Sequence, residues 1–194
     1  MTWDDYFLDL AVTAAKKSKD PNSQVGVAIA DRHHGTVATG FNGLPIGLND
    51  SVVQDRETKL RRILHAEVNA LIFADPRRLS GATLYTTKAV CHRCAAVICQ
   101  YHGLYGPLTV VQPSIERESS WAESQLEAVE MFREAGVAVR FIVQLGKADD
   151  VERNCHTCGH LRPYDADRFS CHHEGTSANC IGYGQWEPKK ETTP

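Results

Sequence analysis

Thr83-Leu84-Tyr85-Thr86-Thr87, followed by Lys88-Ala89-Val90 and then His92 to Tyr101, is the stretch whose reading decides the fold. Five β-branched, aromatic and apolar residues give way within a few positions to an apolar pattern of helical period. The same alternation extends on both sides. Upstream, Ala66 to Ala74 reads as a helix; downstream come a strand at Leu108 to Val111, a helix at Ser119 to Ala135 and a strand at Val137 to Val143. In that last helix Leu126, Val129 and Phe132 or Met131 are expected to face inward. Alternation of this kind predicts an α/β fold with helices on both faces of a sheet.

The N-terminal part adds a helix and a hairpin. Trp3, Tyr6, Phe7, Leu10, Ala11 and Ala14 recur at helical spacing after Thr2, which forms a capping box with Asp5. Val25 to Ala30 and Val37 to Phe41 are short strands joined by Asp31-Arg32-His33-His34-Gly35, so His33 and His34 are turn residues. Asn42-Gly43-Leu44-Pro45 turns the chain again. Asp50 to Arg62 is polar enough to be either a loop or a solvated helix. The total is four helices and five strands.

Bulk properties narrow the function. At 194 residues the chain can bury one substantial core and carry a small appendage. With 21 basic against 24 acidic residues it has no charge suited to gripping a long nucleic acid, and a small substrate is the better expectation. No basic segment followed by an apolar run opens the sequence, and no stretch approaches eighteen apolar residues, so a cytoplasmic protein without a membrane span is expected. In that compartment the seven cysteines read as ligands and core residues rather than disulfides. Cys99, inside an apolar helix, is a small hydrophobe.

Chemistry concentrates in His65-Ala66-Glu67 and Cys91-His92-Arg93-Cys94. Zinc takes imidazole and thiolate readily, and a catalytic zinc keeps three protein ligands and an open position. His65, Cys91 and Cys94 supply those three, leaving Glu67 free to move protons. His65 and the two cysteines open their helices, where unpaired N–H groups favour thiolate. Positions i and i+2 of a helix diverge by about 200°, so His65 and Glu67 share a target only if both lean over the helix end. Alone, Cys-x-x-Cys is compatible with a redox pair and His-x-Glu with a surface dipeptide; together they are specific.

Their order resembles the His-x-Glu then Pro-Cys-x-x-Cys signature of the zinc-dependent nucleobase deaminases. Ser18-Lys19-Asp20-Pro21-Asn22-Ser23-Gln24-Val25-Gly26, Gly40-Phe41-Asn42-Gly43, His65-Ala66-Glu67-Val68-Asn69-Ala70 and Thr83 to Thr87 together resemble the deoxycytidylate deaminase branch, over residues 1 to about 143. The resemblance implies a three-layer α/β/α sandwich around a five-stranded mixed sheet and one catalytic zinc per subunit. It also implies a homo-oligomer, often a hexamer, with dCTP and dTTP as effectors. The implied reaction is hydrolysis of dCMP to dUMP and ammonia, feeding thymidylate synthesis. By resemblance, Asn42, Thr86 and Lys88 contact the substrate. Lys19, Arg61 and Arg62 are further basic groups nearby, each also readable as a solvated surface charge. One departure is Val90, where the signature has proline; valine restores a backbone donor that must be satisfied. Residues 88–90 lie where the family's backbone contacts the base, so Val90 bears on substrate preference.

Two alternatives stay open. One is deamination of another base or of a 5-substituted dCMP; the other is a silent deaminase site in a protein that binds nucleic acid or protein through its C-terminus.

Beyond Leu145 the apolar periodicity fades and Cys, His, Gly and Asp dominate. Residues 1–146 read as the catalytic domain and 147–194 as a Cys-rich, zinc-ribbon-like module. Cys155, Cys158, Cys171 and Cys180 are the expected ligands of a second, structural zinc, with His160, His172 or His173 as substitutes.

Overall fold

The computed structural model describes residues 1–142, 161–165 and 168–171. Helix α1 (Trp3–Ala15) starts at Thr2, whose hydroxyl accepts the Asp5 N–H while the Asp5 carboxylate accepts the Thr2 N–H. Strands β1 (Gly26–Ala30) and β2 (Thr36–Phe41) pair antiparallel as the expected hairpin, with His34 at its turn in the left-handed region at φ 62°. A short 3-10 turn (Asp50–Gln54) and helix α2 (Arg56–Arg62) follow, then α3 (Ala66–Phe73), β3 (Ala82–Thr86), α4 (His92–Tyr105), β4 (Leu108–Pro113), α5 (Ala122–Ala135) and β5 (Ala138–Ile142). The expected strands are all present. Helices number five rather than four among the described residues, because the polar 56–62 segment folds as α2.

The five strands form one mixed sheet in the order β2-β1-β3-β4-β5. Strands β3, β4 and β5 run parallel, and β1 is antiparallel to both β2 and β3. Side chains alternate between two cores, as period 2 requires. Val27, Ile29, Leu84 and Val110 pack with Ala66, Ala70, Ala95, Ile98, Ala128 and Phe132 of α3, α4 and α5. Ala28, Ala30, Tyr85 and Val111 pack with Phe7 and Ala11 of α1 on the opposite face. Both faces are covered, three helices against one.

Two glycines set the closest approaches. A Cβ on Gly26 would lie 1.9 Å from the Ala11 carbonyl oxygen, and one on Gly40 would lie 2.5 Å from both the Ala66 oxygen and the Ala70 nitrogen. Helices α1 and α3 therefore rest directly on the hairpin backbone from opposite sides. The Asn69 amide ties α3 further by donating to the Phe41 carbonyl at 2.8 Å.

Some inward faces differ from expectation. Trp3 and Tyr6 are exposed, and α1 buries Phe7, Ala11 and Ala15 instead; Trp3 stacks on His34 at 4.4 Å and 6°. In α5 Leu126 is exposed, while Ala128 and Phe132 are fully buried. Large apolar residues dominate a periodicity reading, yet these helices approach closely enough that alanines form the contact. Cys99 is half-buried against Met131.

Strands β6 (Leu161–Asp165) and β7 (Arg168–Cys171) form a separate antiparallel hairpin. The expected domain boundary between residues 146 and 147, and Cys155, Cys158 and Cys180, lie outside the described residues; Cys171 is the last residue of β7. Among the described residues, no helix is long and apolar enough to cross a membrane.

Candidate metal centre and active site

Strand direction places the chemistry at one edge of the sheet. Helix α4 follows the C-terminal end of β3, and α3 follows β2, which runs in the same direction as β3 because each is antiparallel to β1. Their N-termini therefore open on the same edge. His65 is the N-cap of α3 and Cys91 the N-cap of α4. Neither side chain caps its own helix, unlike the usual N-cap residue, so both remain available as ligands.

The Nδ1 of His65 lies 3.4 Å from Cys91 Sγ and 3.3 Å from Cys94 Sγ, and the three ligand atoms fall within 4.8 Å of one another. A tetrahedral ion with bonds of about 2.3 Å to sulfur and about 2.0–2.1 Å to nitrogen would hold N and S about 3.5 Å apart. The trio fits a zinc ion in both donor set and spacing. It is the one His/Cys/Asp/Glu cluster of metal-binding geometry among the described residues.

Each member of the trio shifts the titration of the others. The Cys91 thiol is pulled down to about 3, first by the hydrogen bond from Cys94 and then by His65, against the effect of burial. Cys94 is pushed up by that same bond and by burial, and His65 is raised chiefly by its bond to Cys91. A dication would release these protons, since thiolate and neutral imidazole are the binding forms.

Glu67 lies in the first turn of α3 and is only 4% exposed. Burial raises its pKa above the usual carboxylate range, opposed by a bond to its own backbone N–H and by His65. Such a carboxyl can both accept and return a proton.

The other expected site residues are held in the framework. Asn42 is buried; its Oδ1 accepts the Val25 N–H at 2.8 Å and its Nδ2 donates to the Ser23 carbonyl at 2.8 Å. Thr86 is fully buried, donating its hydroxyl to the Lys88 carbonyl at 3.0 Å. The Lys88 ammonium donates to Ser23 Oγ at 2.9 Å, joining the loop after β3 to the Ser18–Val25 segment. Lys19 pairs with Asp50, and Arg61 with Glu57, all at the surface.

Three residues went unrecognised in the sequence. Trp121, half-exposed before α5, sets its ring edge-on to His65 at 6.2 Å. Buried Lys59 of α2 pairs with Asp20. Gln112 of β4 is fully buried and accepts the Val90 N–H. No periodic or spacing signal marks any of them.

Comparison with known proteins agrees with this geometry. The sequence profile of the cytidine and deoxycytidylate deaminase zinc-binding region matches residues 1–104, which include the whole trio and Glu67. This chain belongs to the cytidine and deoxycytidylate deaminase family. It is 38% identical over 143 residues to an uncharacterized deaminase of Aliivibrio fischeri, covering 72% of this chain and 93% of that one. It is 39% identical over 110 residues to a probable deoxycytidylate deaminase of Drosophila melanogaster and 36% identical over 107 to the human deoxycytidylate deaminase. Those two matches cover 50% and 52% of this chain and span 54% and 60% of the relatives' own length. Among solved structures, the apo dCMP deaminase of cyanophage S-TIM5 superposes with a TM-score of 0.56 at 19% identity, over 72% of this chain and 96% of that one. The same phage enzyme in complex with dCMP and dUMP gives 0.54 over 71% and 95%. At that identity the superposition speaks to the deaminase fold.

Proposed function

We propose that this chain hydrolyses the exocyclic amine of a deoxycytidine nucleotide, converting dCMP and water to dUMP and ammonia. The convergence of His65, Cys91 and Cys94 on one point beside the buried Glu67 carries this reading. Zinc held by the three would supply the Lewis-acid charge that makes water a nucleophile near neutral pH. Glu67 takes a proton from the attacking water and delivers it to N3 of the pyrimidine, which leaves C4 electrophilic. The hydroxyl adds at C4. Glu67 then carries the hydroxyl proton to the exocyclic nitrogen, the C4–N bond breaks, and ammonia leaves as the C4 carbonyl forms.

The nucleotide lies between the 88–90 loop and the Ser18–Val25 segment, which Lys88 and Ser23 join. Asn42 and Thr86 shape this space by fixing its two walls, and Lys88 contributes charge. Relatives named as deoxycytidylate deaminases favour dCMP as the substrate. Residues 147–194 are assigned to a separate module in which Cys155, Cys158, Cys171 and Cys180 hold a structural zinc; two zinc ions per chain support it, and one ion with four reactive C-terminal thiols excludes it.

The direct test incubates the zinc-loaded protein with dCMP, dCTP, deoxycytidine and 5-methyl-dCMP and follows ammonia. Turnover of dCMP well above the others supports the proposal. Preference for the 5-substituted nucleotide revises the substrate, and inertness toward all four overturns the reading.

A further inference from the structure

Val90 stands immediately before the first thiolate ligand and is fully buried, so its N–H cannot reach water. Proline at this position has no such donor. Here the donor is met from the neighbouring strand, because Gln112 Oε1 accepts it at 2.9 Å. Only the carboxamide oxygen can do so, which fixes the orientation of the amide and turns Nε2 away from Val90.

That orientation is unfavourable for Gln112 itself. The side chain is fully buried, and Nε2 has no hydrogen-bond partner among the described residues. An unpaired donor in a core is destabilising, whereas methionine of similar length would fill the space without one. The oxygen is what the site needs.

The rest of the loop is held in a similar way. Thr86 Oγ1 donates to the Lys88 carbonyl at 3.0 Å and accepts the Lys88 N–H at 3.4 Å, while Gln125 Nε2 donates to the Ala89 carbonyl at 3.2 Å. Side chains from β3, β4 and α5 thus fix the loop's backbone. Of its three N–H groups, only that of Ala89 lacks an acceptor among the described residues.

We propose that Gln112 is a positioning residue that stands in for the missing proline. By accepting the donor that valine restores, it fixes the 88–90 loop and, through it, the start of α4 at Cys91. The kinetic part of this inference rests on the proposed deaminase activity; the structural part does not.

Four zinc-loaded proteins test it: the natural chain, Gln112→Met, Val90→Pro, and the double variant. In the natural background Gln112→Met strands the Val90 N–H, so Tm falls and KM for dCMP rises about five- to tenfold, with kcat changed less than about twofold. In the Val90→Pro background the same substitution strands nothing and removes an orphan donor. Tm then holds or rises, and KM is unchanged. Equal losses in both backgrounds overturn the proposal, because they mark a general packing role. The Tm arm needs no turnover: a reversal of sign without deamination would keep the pair and sink the deaminase reading, and deamination without a reversal would do the opposite. Should Val90→Pro fail to fold, amide exchange decides. Gln112→Met must then speed exchange at Val90 at least about tenfold more than at the amides of β4, and unchanged protection at Val90 overturns the inference.

Discussion

Lys59 Nζ lies 2.8 Å from Asp20 Oδ1 with both side chains almost fully buried, which anchors the polar helix α2 to the motif segment beside the site. Asp20 also accepts the N–H groups of Asn22 and Ser23. Burial alone would raise its pKa; the bond from Lys59 and these amides outweigh that and lower it. Removing one partner of a buried pair leaves a charge without compensation, at about 3–5 kcal/mol. Lys59→Met is expected to lose stability in that range by denaturant titration, and Asp20→Asn in the same background should restore much of it. A loss under about 1 kcal/mol would show the pair to be hydrated and of little consequence.

Glu67→Gln keeps the shape of the side chain and removes its ability to move protons. Zinc content is expected to stay at the natural level while turnover of dCMP drops by roughly 10²–10⁴-fold or more. Loss of metal together with activity would instead place Glu67 among the ligands.

Stripping the metal with a chelator should lower Tm and make the Cys91 and Cys94 thiols reactive toward a disulfide reagent. Free zinc at 100 times Kd stabilises the folded state by about 2.7 kcal/mol, which corresponds to roughly 5–10 °C in a domain of this size. His65→Ala is expected to show the low Tm whether or not zinc is added. A chelator-insensitive Tm in the natural protein would argue against a metal at this site.

Acid stability has a separate origin. Asp4 accepts hydrogen bonds from Nη1 and Nη2 of Arg140, at 2.6 and 3.0 Å, and from the Tyr85 hydroxyl at 2.9 Å. Burial works against ionisation, but these bonds win and lower the Asp4 pKa below 3.8. A lowered folded pKa gives stability that is present above 3.8 and is lost as pH falls through the folded value. Arg140→Met should therefore be less stable than the natural protein near neutral pH, with the difference closing as pH falls below about 4, as denaturant titrations at several pH values would show. On the alkaline side Tyr85 is pushed up to about 12, first by burial and then by its bond to Asp4, so that contribution is lost only as pH rises beyond 10.

The sheet and the clustering of His65, Cys91 and Cys94 were legible in the sequence for local reasons. Val27 to Ala30 and Leu84 with Tyr85 alternate between the two cores within a few residues, and His65, Cys91 and Cys94 announce themselves by residue type and helix position. Lys59, Gln112 and Trp121 did not, because each takes its meaning from a partner far away in sequence: Asp20, Val90 and His65. Asn42 was expected to contact the substrate, and its framework bonds to Val25 and Ser23 were not foreseen because they depend on the hairpin's closure. The β6–β7 hairpin was hidden by composition, since Leu161-Arg162-Pro163-Tyr164-Asp165 lacks the alternation that marks a half-buried strand.

All three residues of the proposed metal trio belong to one short run from α3 through β3 to α4, with Cys91 only 26 residues from His65. Closing so short a loop carries a modest entropy cost, and all three side chains belong to it. During synthesis the complete trio leaves the ribosome ahead of β4, α5 and β5, and metal capture can then precede closure of the sheet.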